Sequence, residues 1–271
     1  WNISTRESLS EIVYSVTVPA GTYILRGGNS VAHTVDWGDG TTTSETTADA
    51  AHNYASPGTY SIKLDVTGTY YTPKYWGHTS DAQKINSFVV DAGANLGTSL
   101  YFAWHNASNM TTFTIPDAVL VGVYDLRGTW EGCSSLTSFP LLDISTANNL
   151  MNTWAGCSSL TSFPLLSIGN ATDCTRTWYN CTSLASMPSL DYSSCTDFYR
   201  AWKNDTSLTT FPAGSFSTTG TLGTYAFYEA FQNCALTAQS IENILVGLQN
   251  NPATGVTLDL IGGTNADAST W

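Results

Sequence analysis

Basic side chains are scarce in this chain: nine Lys and Arg stand against 21 Asp and Glu in 271 residues, a formal charge of -12. Charged residues make up 11% of the sequence, against about 25% in an ordinary soluble domain. The basic stripe that phosphate binding needs is missing, which argues against nucleic acid and against an anionic membrane surface. Long hydrophobic runs are missing too. The longest apolar pieces, such as Ala118–Val123, are strand-sized, short of the roughly 18 residues of a membrane span. The six cysteines contain no C-x-x-C, which removes the usual zinc and redox spacings. No G-x-S-x-G, H-E-x-x-H, P-loop or dinucleotide fingerprint occurs, and the acidic residues show no pairing of the kind that hydrolyses glycosides. Catalysis finds no foothold, and no enzymatic activity is expected.

What is present is repetition. Trp130, Trp154, Trp178 and Trp202 recur every 24 residues, heading the phrases TWEGCSSLTSFPLL, TWAGCSSLTSFPLL, TWYNCTSLASMPSL and AWKNDTSLTTFPAG. A degenerate copy, AWHNASNMTTFTIP, starts at Ala103, and AFQNCAL follows after a five-residue insertion. A fixed period of this length is the signature of a solenoid, whose units bury their apolar sides only against one another. The Trp column gives way to Phe231 at its end, which favours an internal spine over an exposed sugar-stacking ladder. Three residues after the aromatic stand Cys133, Cys157, Cys181 and Cys234, with Ala107 and Asp205 in the same column. A position that accepts Cys or Ala reads as a small buried site, so free thiols are expected instead of disulfides.

Residues 10 to about 69 read differently. Glu11–Val18 alternates, a turn at Pro19-Ala20-Gly21 follows, and Tyr60, Ile62, Leu64 and Val66 form a strict period-2 stripe. Short alternating strands between Gly, Pro and Asp turns indicate an antiparallel sandwich. Val35-Asp36-Trp37-Gly38-Asp39-Gly40, His52-Asn53-Tyr54 and Ser56-Pro57-Gly58-Thr59-Tyr60 resemble the motifs of a PKD domain. That resemblance implies an immunoglobulin-like β-sandwich, and it makes Asp36 and Asp39 the weak candidates for Ca2+, since some PKD domains bind it. Turn chemistry, with carboxylates accepting backbone N–H bonds, is the plainer role for both. No other metal or cofactor is expected.

Within the four phrases headed by Trp130, Trp154, Trp178 and Trp202, Leu stands six residues after the Trp, Phe or Met nine after, and Pro ten after. A strand-like half followed by a compact return is the leucine-rich-repeat plan, and C-S-S-L-T-S-F closely resembles BspA-type leucine-rich repeats from Phe102 to about Leu236. Thr237–Leu248 then places Ile241, Ile244, Leu245 and Leu248 on one face of an amphipathic helix, and Val256–Ile261 alternates like a strand. LTAQSIENIL followed by TLDLIGGTNA resembles the ends of repeat-bearing structural proteins of marine bacteriophages. The expected architecture is mainly β: a PKD-like sandwich and aromatic junction over 1–78, a leucine-rich-repeat solenoid over 79–236, and a helix–strand cap over 237–271. The chain reads as trimmed before Trp1 and as continuing past Trp271.

The residues beside each Trp vary within the frame, and nearby Arg176 and Arg200 share a column as a candidate handle for an anion or a glycan. Variation inside a regular frame marks a solvent-facing surface, so Glu131, Arg176, Tyr179, Arg200 and Lys203 are the candidate ligand contacts. The bland alternative for the two arginines is scattered surface charge. The expected function is a non-enzymatic virion structural or adhesion protein, a phage fibre, appendage or capsid decoration on the virion surface or otherwise extracellular. The alternative is a bacterial surface adhesin of the BspA type. Expected partners are other virion or surface proteins, a host-surface glycan, or a second copy of the chain.

Overall fold

The computed structural model describes residues 11–27, 32–66, 72–75, 77, 79–217, 219, 221–249 and 258. It is mainly β. The N-terminal part holds β1 (Glu11–Val18), β2 (Gly21–Leu25), β3 (His33–Asp36), β4 (Thr42–Glu45), β5 (Ala50–Tyr54) and β6 (Gly58–Asp65). A short α1 (Thr79–Ala82), β7 (Ile85–Val90), β8 (Thr112–Thr114) and a one-turn α2 (Asp117–Leu120) follow. The period-2 stripes set the faces: Ile12, Tyr14, Val16 and Val18 of β1 and Ile62 and Leu64 of β6 are buried, and their neighbours are not. Side chains at alternate positions of a strand point to opposite faces, so one face can be apolar throughout.

Six strands form one mixed sheet in the order β4-β3-β6-β1-β7-β8, and β2 pairs with β5 in a second. The large sheet crosses residues 78–79, because β1 pairs antiparallel with both β6 and β7, and β7 pairs parallel with β8 inside the first repeat. The aromatic junction ties the same parts together. Thr72 donates its hydroxyl to the Leu96 carbonyl at 3.0 Å, and the Tyr75 N–H donates to Phe102 O at 3.0 Å.

From Leu100 onward the repeats stack as successive rungs joined by a directional hydrogen-bond lattice. The N–H groups of Leu150, Asn152, Trp154 and Gly156 donate to the carbonyls of Asp173, Thr175, Thr177 and Tyr179 at 2.7–3.0 Å. The intervening residues turn inward on their own rung: Thr153, Ala155 and Cys157 donate to Leu150, Asn152 and Trp154 at 3.1 Å. The lattice thereby pairs these backbone groups, which burial demands. This alternation needs two left-handed residues per rung, two before and two after the Trp. The second site holds Asn106, Gly132, Gly156, Asn180, Asn204 and Asn233, all at φ between 60° and 76°, the residue types that tolerate that region. The strand-like half expected of each repeat is correspondingly reduced. Beyond β8 the described rungs meet through single parallel bridges such as Ser99↔Asp125↔Asn149↔Asp173↔Asp197, because left-handed residues interrupt extended backbone.

Trp104, Trp130, Trp154, Trp178 and Trp202 are fully buried. Their rings stack nearly parallel at 6.0, 6.1, 5.8 and 5.2 Å between successive centroids, with Phe88 of β7 at one end and Phe231 at the other. Phe139, Phe163 and Phe211 meet these indoles edge-on, the tilted contact that ring quadrupoles favour. The Trp column is an interior spine. All six cysteines are buried and free, and Cys133, Cys157, Cys181 and Cys234 direct their thiols at the Trp carbonyl of the preceding rung at 3.1–3.4 Å. On the outside, Thr161, Thr172, Thr182, Thr196 and Thr206 hydroxyls donate to carbonyls one rung away, which gives the abundant Thr a structural use.

The five-residue insertion loops out without breaking register, since Phe198, Arg200, Trp202 and Asn204 still donate to Ala226, Tyr228, Ala230 and Gln232. The chain ends in α3 (Ala238–Gln249), whose buried residues are Ser240, Ile241, Ile244 and Gly247. Leu245, expected on the apolar face, is 40% exposed. The helix instead rolls towards Gly247, where a Cβ would lie 3.2 Å from the Phe216 N. Ser240 Oγ donates to Thr209 O and accepts from Phe211 N, and Asn243 Nδ2 donates to Phe211 O, so α3 occupies hydrogen-bonding groups that another rung would take. The strand expected over Val256–Ile261 lies outside the described residues, except Leu258, which bridges to Phe227.

Candidate functional site

The lattice decides which side chains leave the stack. With the Trp facing inward, the residues three and two before it and one and two after it form one variable face. The lone side chains of the interior columns stay nearly constant, whereas this face carries His105, Glu131, Ala155, Tyr179, Lys203 and Gln232 at one position alone.

Three of the five ligand contacts expected from sequence come together there. Glu131, Arg176 and Tyr179 line an open notch of about 220 Å³ with Asn106, Gly132, Ala155, Gly156 and Asn180. Its floor is Gly132, Ala155 and Gly156, where other rungs carry Asn, Tyr, Lys or Gln, so absent side chains make the hollow. The Arg176 guanidinium lies 4.4 Å from the Tyr179 ring centroid, a cation–π contact. Burial raises the Glu131 carboxyl above its ordinary range, and the Arg176 charge opposes that shift. His105 Nε2 lies 3.9 Å from Glu131 Oε2, and burial lowers the His105 pKa, which works against an ion pair between them.

Arg200 and Lys203 lie on the next rung and are engaged elsewhere. Both bond Glu229 Oε2, at 2.7 and 2.6 Å, and the Lys203 hydrogen bond, with that of Arg200, lowers the Glu229 carboxyl. Arg200 also covers the Tyr199 ring at 4.7 Å, and Tyr199 stacks on Tyr228 at 5.7 Å. Arg176 and Arg200 occupy the same left-handed position on successive rungs, at φ 52° and 55°. Sequence reasoning missed Asn106, Asn180, Glu229 and the glycine floor. The signal was visible, since the second residue after the aromatic is only ever Asn or Gly.

Asp36 and Asp39 lie far along the chain, in the β3–β4 turn. Asp36 Oδ1 accepts the Gly38 N–H at 2.9 Å. Asp39 Oδ1 accepts the Thr41 hydroxyl and N–H, and Asp39 Oδ2 meets His52 Nε2 at 2.7 Å. The Thr41 hydroxyl bond, with His52 and the Thr41 amide, lowers the Asp39 pKa to about 2. Gly38 is required there, because a Cβ would fall 2.5 Å from the Ser61 carbonyl oxygen of β6. Buried Trp37 and Tyr54 complete the unit through a Tyr54 hydroxyl bond to Trp37 O at 2.9 Å. Both carboxylates thus act in turn chemistry. Among the described residues no three His, Cys, Asp or Glu gather as metal ligands, and no helix is long and apolar enough to cross a membrane. Comparison with known proteins finds no match among family models, curated proteins or solved structures.

Proposed function

We propose that this chain is a non-enzymatic virion structural or adhesion protein, in which a PKD-like sandwich over 1–78 supports a BspA-type leucine-rich-repeat solenoid over 79–236, closed by a cap over 237–271. The solenoid presents its variable face to a host surface or to neighbouring proteins of the particle, at the virion surface or otherwise outside the cell. One observation carries this reading: a nearly invariant interior of stacked indoles and thiols supports an exterior whose residues change from rung to rung. Such a frame holds a contact surface rigid while its chemistry varies. The shortage of Lys and Arg and the hydroxyl-rich exterior suit a surface protein that does not stick to nucleic acid.

The second reading is a bacterial surface adhesin of the BspA type, favoured by the same repeat phrase. Incubating the purified protein with host-surface polysaccharides and virion partners tests the shared claim. Retention without product supports it. Steady release of shortened oligosaccharides would show that the chain is an enzyme.

A further inference from the structure

The notch spans the Trp104 to Trp178 rungs and brings a guanidinium and a carboxylate together with two amides, of which Asn106 Nδ2 bonds His105 at 2.9 Å and Asn180 Oδ1 accepts from Asn204 Nδ2 at 2.8 Å. Of the arginines described, Arg26, Arg127 and Arg200 each bond an Asp or Glu. Arg176 makes no such pair, and its charge meets Glu131 only through space. Among the described residues the Glu131 carboxylate accepts no hydrogen bond, and His105 Nε2 stands 3.9 Å from its Oε2. A donor-only guanidinium, an acceptor carboxylate and two amides that do both therefore face one hollow.

We propose that this notch seats one unit of a neutral polysaccharide through a vicinal pair of hydroxyls, an inference that rests on the surface-binding function above. Each hydroxyl both donates and accepts, so one can donate to Glu131 while its neighbour accepts from Arg176. Asn106 Oδ1 and Asn180 Nδ2, the amide atoms not engaged with His105 and Asn204, flank the site and supply a further acceptor and donor. Charge selects against the alternatives. The notch holds one positive and one negative group and so offers no net charge to recruit either an anionic or a cationic sugar, and the chain's charge of -12 further disfavours an anionic one. Gly132, Ala155 and Gly156 form a floor on which a ring can rest. The notch is open to solvent, and an open site buries too little of a lone monomer to hold it well. A chain running along the rungs adds contacts on both sides, so the polymer is the ligand and the notch fixes its register.

The frame provides variants that fill or empty the notch without disturbing the stack. Ala155→Tyr copies Tyr179 from the same column of the next rung, and Arg176→Asn copies Asn152 from its own column. Affinity electrophoresis of the full chain through gels holding mannan, dextran, galactan or polygalacturonate tests the proposal, with circular dichroism confirming the fold of each variant. At least one neutral polymer should retard the wild type, and polygalacturonate should not. Arg176→Asn should weaken retardation by about tenfold or more, the loss of a hydrogen bond to a charged group, and Ala155→Tyr should weaken it at least as much by occupying the space of the sugar ring. Equal retardation of Ala155→Tyr and wild type overturns the notch assignment while leaving surface binding intact. Retardation by none of the neutral polymers, or competition by free alanine as a zwitterion in their place, overturns the ligand class. Capture of virion partners by a protein that fails these tests leaves the broader function standing.

Discussion

The backbone N–H of Cys181 donates to Oδ1 of Asp205 at 2.7 Å, and Asp205 stands one rung on in the column that elsewhere holds Cys or Ala. Asp205 is fully buried and its Oδ2 has no partner. Burial raises its pKa well above the ordinary carboxylate value, with the Cys181 amide opposing. The folded protein therefore keeps this carboxyl protonated at pH values where the unfolded chain ionises it. Stability is full below the unfolded pKa and falls as pH rises from there towards the folded value.

Replacing Asp205 by Cys should remove that loss. Cys181 N also donates to Trp178 O at 3.1 Å, so it keeps a partner. Asp205→Cys should stabilise the protein by about 1–3 kcal/mol at neutral pH, the cost of a buried unsatisfied group. Chemical denaturation at several pH values should show the difference growing from pH 4 upward. A gap that is constant with pH would contradict the assignment.

The spine should tolerate Phe far better than Ala. The indole N–H groups of Trp130, Trp154 and Trp178 are buried without an acceptor, and Phe231 already serves in the column. Trp154→Ala should cost about 3–5 kcal/mol through the cavity it leaves. Trp154→Phe should cost less than half as much, because the smaller cavity is offset by removing an unpaired donor. Urea midpoints of the two variants compare them directly.

Gly132 and Gly156 share a left-handed backbone but differ in room. A Cβ at Gly132 would lie 2.3 Å from Asn106 Oδ1, whereas at Gly156 its nearest neighbour is 3.5 Å away. Gly156→Ala should cost about 1–2 kcal/mol for its backbone conformation alone. Gly132→Ala should cost more, and thermal melts should rank them in that order.

The cysteines should be inert until the chain unfolds. Burial raises the Cys157 pKa to about 12 and holds the Cys133 and Cys181 thiols well above their usual range. Thiolate is the reactive form. Alkylation of the native protein at pH 8 should be slow, and denatured protein should take up six labels with or without reductant. Loss of two labels without reductant would reveal a disulfide.

Columns were the legible part of this fold. Trp154, Cys157 and Leu160 could be placed inside because aligned copies show which positions accept only apolar or small residues with few exceptions, such as Asp205. Ile241 and Ile244 were legible through helical spacing. Leu245 was not, because its exposure depends on Gly247 letting the helix approach Phe216, a contact no local pattern encodes. The pairing of β7 with β1 was hidden for the same reason, since a strand's partner is chosen across the chain. In the notch, Glu131, Arg176 and Tyr179 were found as variable residues. Asn106, Gly132 and Gly156 were overlooked because a required left-handed backbone looks like ordinary composition until the copies are aligned on it.

The directional lattice makes height a free variable. Each middle rung receives from one neighbour the same four hydrogen bonds that it gives to the other, and the indoles of Trp130, Trp154 and Trp178 meet an indole on both sides. Removing residues 154–177 would bring Trp178 onto Trp130 and leave every junction of the same kind. Gain or loss of whole 24-residue units therefore lengthens or shortens the protein in whole steps. The end structures stay compatible throughout, so the length of the stack can change in whole units while the fold and its junctions stay the same.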